Sequence, residues 1–413
     1  MTMMRTAWPD RITWIVGLTT TIGLSSQSAV SWMVDALAKT GGLSIQQASL
    51  MSTAEMLALG ITMIVLAPVI HRLAHKRLLL LSTLAVLVAQ ALSSLVHGFV
   101  PMGLTRILSG VAFGAIYAIA TVSGAAADNP ESAYANGAGI NMVLGMFLNP
   151  PLGFGSEHFG HRGVFVGLGL YCLVLAIPLL FIAFPQPIIA APVERKARVA
   201  ATLFDGWMVV GLMAVMGMFA IATNGVYVFF VDVASRAGLT GTILGEDLVL
   251  VSFSSAVTIA LLGRLGAWLG PRLRAKDGEP ARGRAVFASL LVMGAVSWMF
   301  MKVPNPLAFT IAFSVWCSVY WIAYTFILGL AVAIDPLGRL AAASGSALIL
   351  FGGLGSAAAG FVAEHFGSAL YGIFALAACI VAGLLGIWVA AALASRPRRP
   401  PALAQRIPGG NSA

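Results

Sequence analysis

The 413-residue chain is 59% hydrophobic and only 9% charged, with a mean hydropathy of +0.93 and a net charge of +9. Soluble domains carry roughly a quarter charged residues, so a water-soluble globular fold is excluded and the chain reads as an integral membrane protein. The basic excess lies in the breaks between apolar runs, which makes it a topology signal and not a nucleic-acid surface.

In chain order, apolar runs fall near residues 12–37, 47–70, 78–96, 101–122, 134–157, 163–184, 204–231, 247–270, 284–301, 306–333, 340–363 and 368–394. Each suffices for a helix that crosses a bilayer, which takes about 20 residues. The breaks carry turn chemistry, as at Asn129-Pro130, Asp277-Gly278 and Asp335-Pro336. With both termini placed in the cytoplasm, eighteen Lys and Arg residues fall in inner segments and four, Lys39, Arg162, Arg236 and Lys302, in outer loops. This bias orients a multi-pass protein of the inner (cytoplasmic) membrane with both ends inside.

The chain repeats itself. Residues 145–160, GMFLNPPLGFGSEHFG, return as 352–367, GGLGSAAAGFVAEHFG, with seven of sixteen positions identical. Residues 27–35, QSAVSWMVD, return as 224–232, NGVYVFFVD. Two repeats in the same order indicate a duplicated unit. The stretch 185–203, rich in proline and charge, reads as the linker between an N-terminal half, 1–184, and a C-terminal half, 204–394, with a basic tail at 395–413. Cys172, Cys317 and Cys379 are far apart inside apolar runs and suggest neither disulfide nor metal. No cluster has metal-ligand spacing and no GxxxxGKS phosphate loop occurs, so no metal, cofactor or ATP is expected.

Local patterns carry a family resemblance. Residues 67–77, APVIHRLAHKR, partly match a GxxxDRxGRRR loop, with Arg72, Lys76 and Arg77 in register and His71 where an acid belongs. Residues 263–272, GRLGAWLGPR, occupy the corresponding place in the second half. The pattern RxxxG appears at Arg106 and Gly110, and GxxxGPxxGG is approximated by Gly145, Asn149, Pro150 and Gly153. In this order along the chain, the patterns resemble the major facilitator superfamily, with a partial likeness to its drug:proton antiporters. The resemblance implies an all-α integral membrane fold of twelve transmembrane helices in two pseudo-symmetric six-helix bundles, rocking about a midplane site. It also implies a monomer, with a small organic substrate and protons as partners in the lipid bilayer, and no enzymatic activity.

Ionisable groups inside a span cost at least about 2.5 kcal/mol and are functional candidates by default. Glu55 lies about 12 Å into the second run and Arg106 about 6 Å into the fourth, at 1.5 Å per residue, and Asp35 closes the first. All three are expected within reach of one another. Two readings stay open: proton coupling through Glu55 or Asp35 with Arg106 as partner, or a permanent ion pair joining two helices.

The resemblance makes the first, fourth, seventh and tenth spans line the substrate path. Their candidates are Gln27, Tyr117, Asn224, Tyr227, Trp316, Tyr320, Trp321 and Tyr324, joined by Asn141 and Asn149 from the fifth. Aromatic groups with polar tips suit an amphiphilic substrate, and Arg106 favours negative charge on it. Arg72, Lys76 and Arg77 are expected to act as a conformational latch. Gly145, Pro150 and Gly153, with Gly352 and Gly360, are expected to form a small-residue surface on which the halves slide. The closing Glu-His-Phe-Gly of each repeat is read as a helix end stopped by Gly160 and Gly367. Proton-coupled export is the first functional reading, with proton symport and a non-transporting membrane sensor as alternatives.

Overall fold

A computed structural model describes residues 10–127, 130–184, 203–273, 278–335 and 339–395. The expected linker up to residue 202 and the tail beyond Ser395 lie outside the described residues, as does the side chain of His71. Among the described residues the secondary structure is entirely helical. In the first half the helices are α1 (Arg11–Ser28), α2 (Val30–Thr40), α3 (Ile45–Leu66), α4 (His75–Leu95), α5 (Phe99–Ala125), α6 (Pro130–Gly145) and α7 (Asn149–Phe181). In the second half they are α8 (Leu203–Val228), α9 (Phe230–Arg236), α10 (Gly241–Leu273), α11 (Gly278–Phe300), α12 (Pro306–Ile334), α13 (Arg339–Phe366) and α14 (Ser368–Ala394).

Ten stretches among the described residues are long and apolar enough to cross a membrane, against the twelve runs read from the sequence. Two physical features account for the difference. The first run is interrupted at Ala29 between α1 and α2. The stretch 136–181 joins the fifth and sixth runs, because α7 reverses direction within itself at Gly160 (φ 60°, ψ −141°). Only glycine adopts that backbone freely. The Thr40 hydroxyl fills the reversal and accepts a hydrogen bond from the backbone N–H of His161 at 2.8 Å.

The prolines at 150 and 151 break the helix that carries Gly145 and Gly153. Proline has no N–H to donate and is best accommodated in a first helical turn. With Pro150 and Pro151 in sequence, α6 therefore stops at Gly145 and α7 starts afresh at Asn149. Gly145 meets nothing around its Cα, whereas Gly153 packs on the backbone of Gly241 and Gly245 in α10.

In hydrocarbon, helices gain little from hiding apolar surface, so close packing over small residues holds the fold. Helix α3 packs on α5 and on α13, and α8 packs on α13 and α14. On α5, Gly110 and Gly114 lie one turn apart and let the chain run directly against α3; a Cβ on Gly110 would meet the Glu55 carbonyl oxygen, and one on Gly114 that of Leu59. This is the physical content of the RxxxG pattern: the glycine brings in the backbone that the arginine needs beside it.

Gly110→Val is expected to destabilise the protein by about 1–3 kcal/mol through overpacking, read as a lowered melting temperature in detergent. Gly139→Ala, where a Cβ meets open space, is expected to leave it unchanged.

Candidate functional site

Glu55 on α3 and Arg106 on α5 meet inside the first half, with Arg106 Nη1 3.4 Å from Glu55 Oε1. Both are sealed from solvent, with 1% and 0% of their surfaces accessible. Around the guanidinium, Nη1 also faces Met33 Sδ, while Nη2 donates to Gln90 Oε1 at 3.1 Å, to the Ala89 carbonyl at 3.4 Å and to the Ser93 hydroxyl. Its plane lies over the Phe165 ring, 4.4 Å from the centroid. Ser109 donates to Glu55 Oε1 and in turn accepts from Gln90. Two atoms of the pair remain unused: Glu55 Oε2 and Arg106 Nε have no hydrogen-bond partner. A buried carboxylate with one oxygen committed and the other open can hold a proton without giving up its existing bonds.

Asp35 does not join them. It pairs with Lys39 one turn along α2 at 2.9 Å, and Asp232 pairs likewise with Arg236 on α9 at 3.0 Å. The reason is geometric: the break at Ala29 gives α2 its own course, and an acid on a helix reaches a base at i+4 first.

The two halves meet at the end of the molecule that carries the α2–α3 and α9–α10 connections, the capped end. Helix breaks leave backbone groups without partners, and here the partners come from the opposite half. The Ser28 carbonyl, freed by the α1–α2 break, accepts from the Tyr227 hydroxyl at 2.9 Å. The Val231 N–H, freed by the α8–α9 break, donates to the Ser31 hydroxyl at 3.0 Å. Asn224 donates within its own half to the Gly352 carbonyl at 2.7 Å and to Ser356 at 2.9 Å, and across the halves it faces Met56. Thr53 donates to the Gly353 carbonyl at 2.8 Å. Gly352 and Gly360 lie under this contact, against Met56 and Ser49 of α3.

Of the expected substrate contacts, four are already engaged: Asn224 and Tyr227 as above, Asn149 by Trp32 Nε1 at 3.1 Å, and Trp316 by Ser297 at 3.0 Å with 3% of its surface accessible. Gln27, Tyr117, Asn141, Tyr320, Trp321 and Tyr324 keep accessible surface. Trp316, Tyr320 and Tyr324 form a stacked ladder on one face of α12, with centroid separations of 5.9 and 6.2 Å. Tyr324 comes within electrostatic reach of Tyr117 from the opposite half. In the expected latch, Lys76 reaches the Leu180 carbonyl at 2.8 Å inside its own half, and Arg72 and Arg77 are exposed.

Sequence reasoning missed three things. Gln90, Ser93 and Ser109 complete the arginine pocket, and only their spacing along one face of α4 and beside Arg106 on α5 could have signalled them. Asp247 on α10 accepts from Thr310 at 2.8 Å with its second oxygen buried and unpartnered; the sign was an acid at the very start of an apolar run. Glu157 and Glu364, assigned no chemistry, bind across the halves: Glu157 Oε2 accepts from the Thr242 N–H at 2.8 Å, and Glu364 Oε2 from the Gln46 N–H at 2.8 Å.

The sequence profile described as Major Facilitator Superfamily matches residues 14–360. No curated protein sequence matches the chain. The fold is similar to solved structures of a D-xylose–proton symporter (TM-score 0.66, 13% identity, covering 91% of this chain and 96% of that one) and of the nucleoside transporter NupG (0.63, 14%, 92% and 98%). It is also similar to a bacterial homologue of the human lysosomal transporter Spinster in an inward-facing, unoccupied conformation (0.61, 14%, 94% and 97%). At these identities the likeness is one of fold.

Arg106→Met, which leaves Glu55 buried without its counter-charge, is expected to cost about 3–5 kcal/mol. The double variant Glu55→Leu/Arg106→Met is expected to recover most of that loss, with melting temperatures of all three variants read as a double-mutant cycle.

Proposed function

The chain belongs to the Major Facilitator Superfamily, a family of membrane transporters and not of enzymes, and from that membership we propose that it is a secondary active transporter carrying a small organic molecule between its two halves by alternating access. In this reading α1–α2 and α8–α9 are single broken spans and α7 supplies parts of two, giving twelve spans in two six-helix bundles, 1–184 and 204–394. The positive-inside bias places both termini in the cytoplasm of an inner-membrane protein, so the capped end faces outward. The carrying observation is that hydrogen bonds between the halves gather at that end, as in a transporter closed to the outside.

Proton coupling is assigned to Glu55 with Arg106. Support comes from the open Oε2 of Glu55 and from the place of Glu55 on α3. Residues 52, 53 and 56 of that helix contact α13 or α8 of the other half, while residue 55 faces Arg106. Protonation of Glu55 removes one charge of the pair, weakens the hold of α5 on α3 and so acts on the helix that closes the two halves together. Export in exchange for protons is favoured over uptake by the partial antiporter-like pattern at Asn149, Pro150 and Gly153. A permanent ion pair is the second reading, favoured by the full burial of Arg106.

In proteoliposomes with an imposed pH gradient, the wild-type protein is expected to drive substrate against its concentration gradient, and Glu55→Gln to exchange substrate without concentrating it. Undiminished concentrative transport by the variant would assign the pair a structural role.

A further inference from the structure

We propose that the path between the halves takes an uncharged, planar aromatic molecule bearing hydrogen-bonding groups. This deepens the transport reading above and rests on it. Tyr117 of the first half and Tyr320 and Tyr324 of the second keep accessible surface, and in the alternating-access reading they border the path between the halves. The wall on the α12 side is a run of ring faces, with Tyr320 backed at 5.2 Å by the fully buried Phe219 of α8 and met edge-on by Trp321 at 5.4 Å. Ring faces offer a flat ligand offset-stacked or edge contacts.

The polar groups around the same space are neutral. The amide of Gln27 and the hydroxyls of Tyr117, Tyr320 and Tyr324 make no hydrogen bond to another described residue. Groups left so in a low-dielectric site are satisfied by water or by ligand. Charge, by contrast, is spoken for: Arg106 and Glu55 are sealed against each other inside the first half, and Asp35 pairs with Lys39 at the capped end. The preference for an anion that Arg106 suggested in the sequence therefore loses its basis. A cation among the tyrosines would find ring faces, whose attraction is small beside the cost of stripping water from an unpaired charge; Asp247, an acid with an open oxygen, is tied instead to Thr310 near the start of α12.

The test sets adenosine and nicotinamide, both planar and neutral, against benzoate, tetraphenylphosphonium and xylose, using thermal shift and quenching of tryptophan fluorescence on purified protein. Adenosine or nicotinamide is expected to stabilise and quench, with affinity reduced about tenfold in Tyr320→Ala, the loss of one stacked ring, and measurably in Tyr324→Phe, which keeps the ring. Response confined to benzoate, tetraphenylphosphonium or xylose overturns the class, as does silence toward both planar probes at millimolar concentration or their undiminished binding to Tyr320→Ala. Passage of benzoate alone through proteoliposomes would sink the class and leave transport standing. Adenosine that binds but never crosses would sink transport and leave the site.

A separate observation carries a second inference. The two copies of Glu-His-Phe-Gly put one glutamate each at the capped end, and each carboxylate reaches the first turn of a helix in the opposite half. Glu157 accepts from the N–H of Thr242 at 2.8 Å and its hydroxyl at 3.0 Å, at the start of α10; Glu364 accepts from the N–H of Gln46 at 2.8 Å and the hydroxyl of Ser44 at 2.6 Å, at the start of α3. Each carboxylate so caps a helix N-terminus, where orphan N–H groups and the helix dipole both favour negative charge. We infer that these are paired latches that hold the capped end shut, and that they must both release before it opens.

Spin labels on Ile45→Cys and Ile243→Cys, in a background with Cys172, Cys317 and Cys379 replaced by alanine, report the separation of α3 and α10. Glu157→Ala and Glu364→Ala are each expected to raise the open-to-closed ratio about tenfold, by loss of one cap, and the pair to raise it further. Glu246→Ala, an exposed acid on α10, is expected to leave it unchanged. A distance distribution unaltered in the double variant, in protein that melts as wild type does, would remove the latches.

Discussion

A guanidinium in the middle of a membrane bundle must find every partner within the protein, because neither water nor lipid supplies one. Arg106 finds them on four helices: a thioether on α2, a carboxylate on α3, an amide, a hydroxyl and a carbonyl on α4, and a ring on α7. Satisfying it fixes how those helices sit around α5. Gly110, one turn on, lets the Glu55 backbone come close enough for the pair to form. The first half is thus assembled around a charge that would be intolerable anywhere else in it.

The second half lacks a matching arginine pocket among the described residues, yet the two halves share a symmetrical scheme of contact. Ala29 and Phe229 interrupt related helices, and the backbone groups freed at each interruption are satisfied by a hydroxyl from the other half. Glu157 and Glu364 repeat the scheme at the helix starts. In each case a group that one half leaves unpaired is completed by the other. Such contacts hold while the halves are together and exchange for water when they part, which suits the proposed opening and closing of this interface.

Helix α3 links the two systems. Its Glu55 face belongs to the arginine pocket, and the adjoining face, through Ser52, Thr53 and Met56, packs on α13 and α8. A change of charge at Glu55 is therefore one helix width from the surface between the halves. Neither Asp35, held by Lys39, nor Asp232, held by Arg236, occupies such a place.

The amino-acid sequence by itself determined that this is a membrane protein, its duplication and most of the helix positions, because hydropathy and self-similarity are properties of the chain that survive without coordinates. It also singled out Glu55 and Arg106, since charge is rare inside apolar runs. Which acid Arg106 would meet, the diversion of Asp35 to Lys39, the engagement of Asn149 and Asn224 in protein contacts, and the reach of Glu157 and Glu364 across the halves were decided only by the tertiary structure. The physical reason is the same throughout. A helix period says which residues share a face, but which neighbour that face meets depends on the breaks at Ala29, Phe229 and Pro150 and the reversal at Gly160, which set the course of every helix that follows.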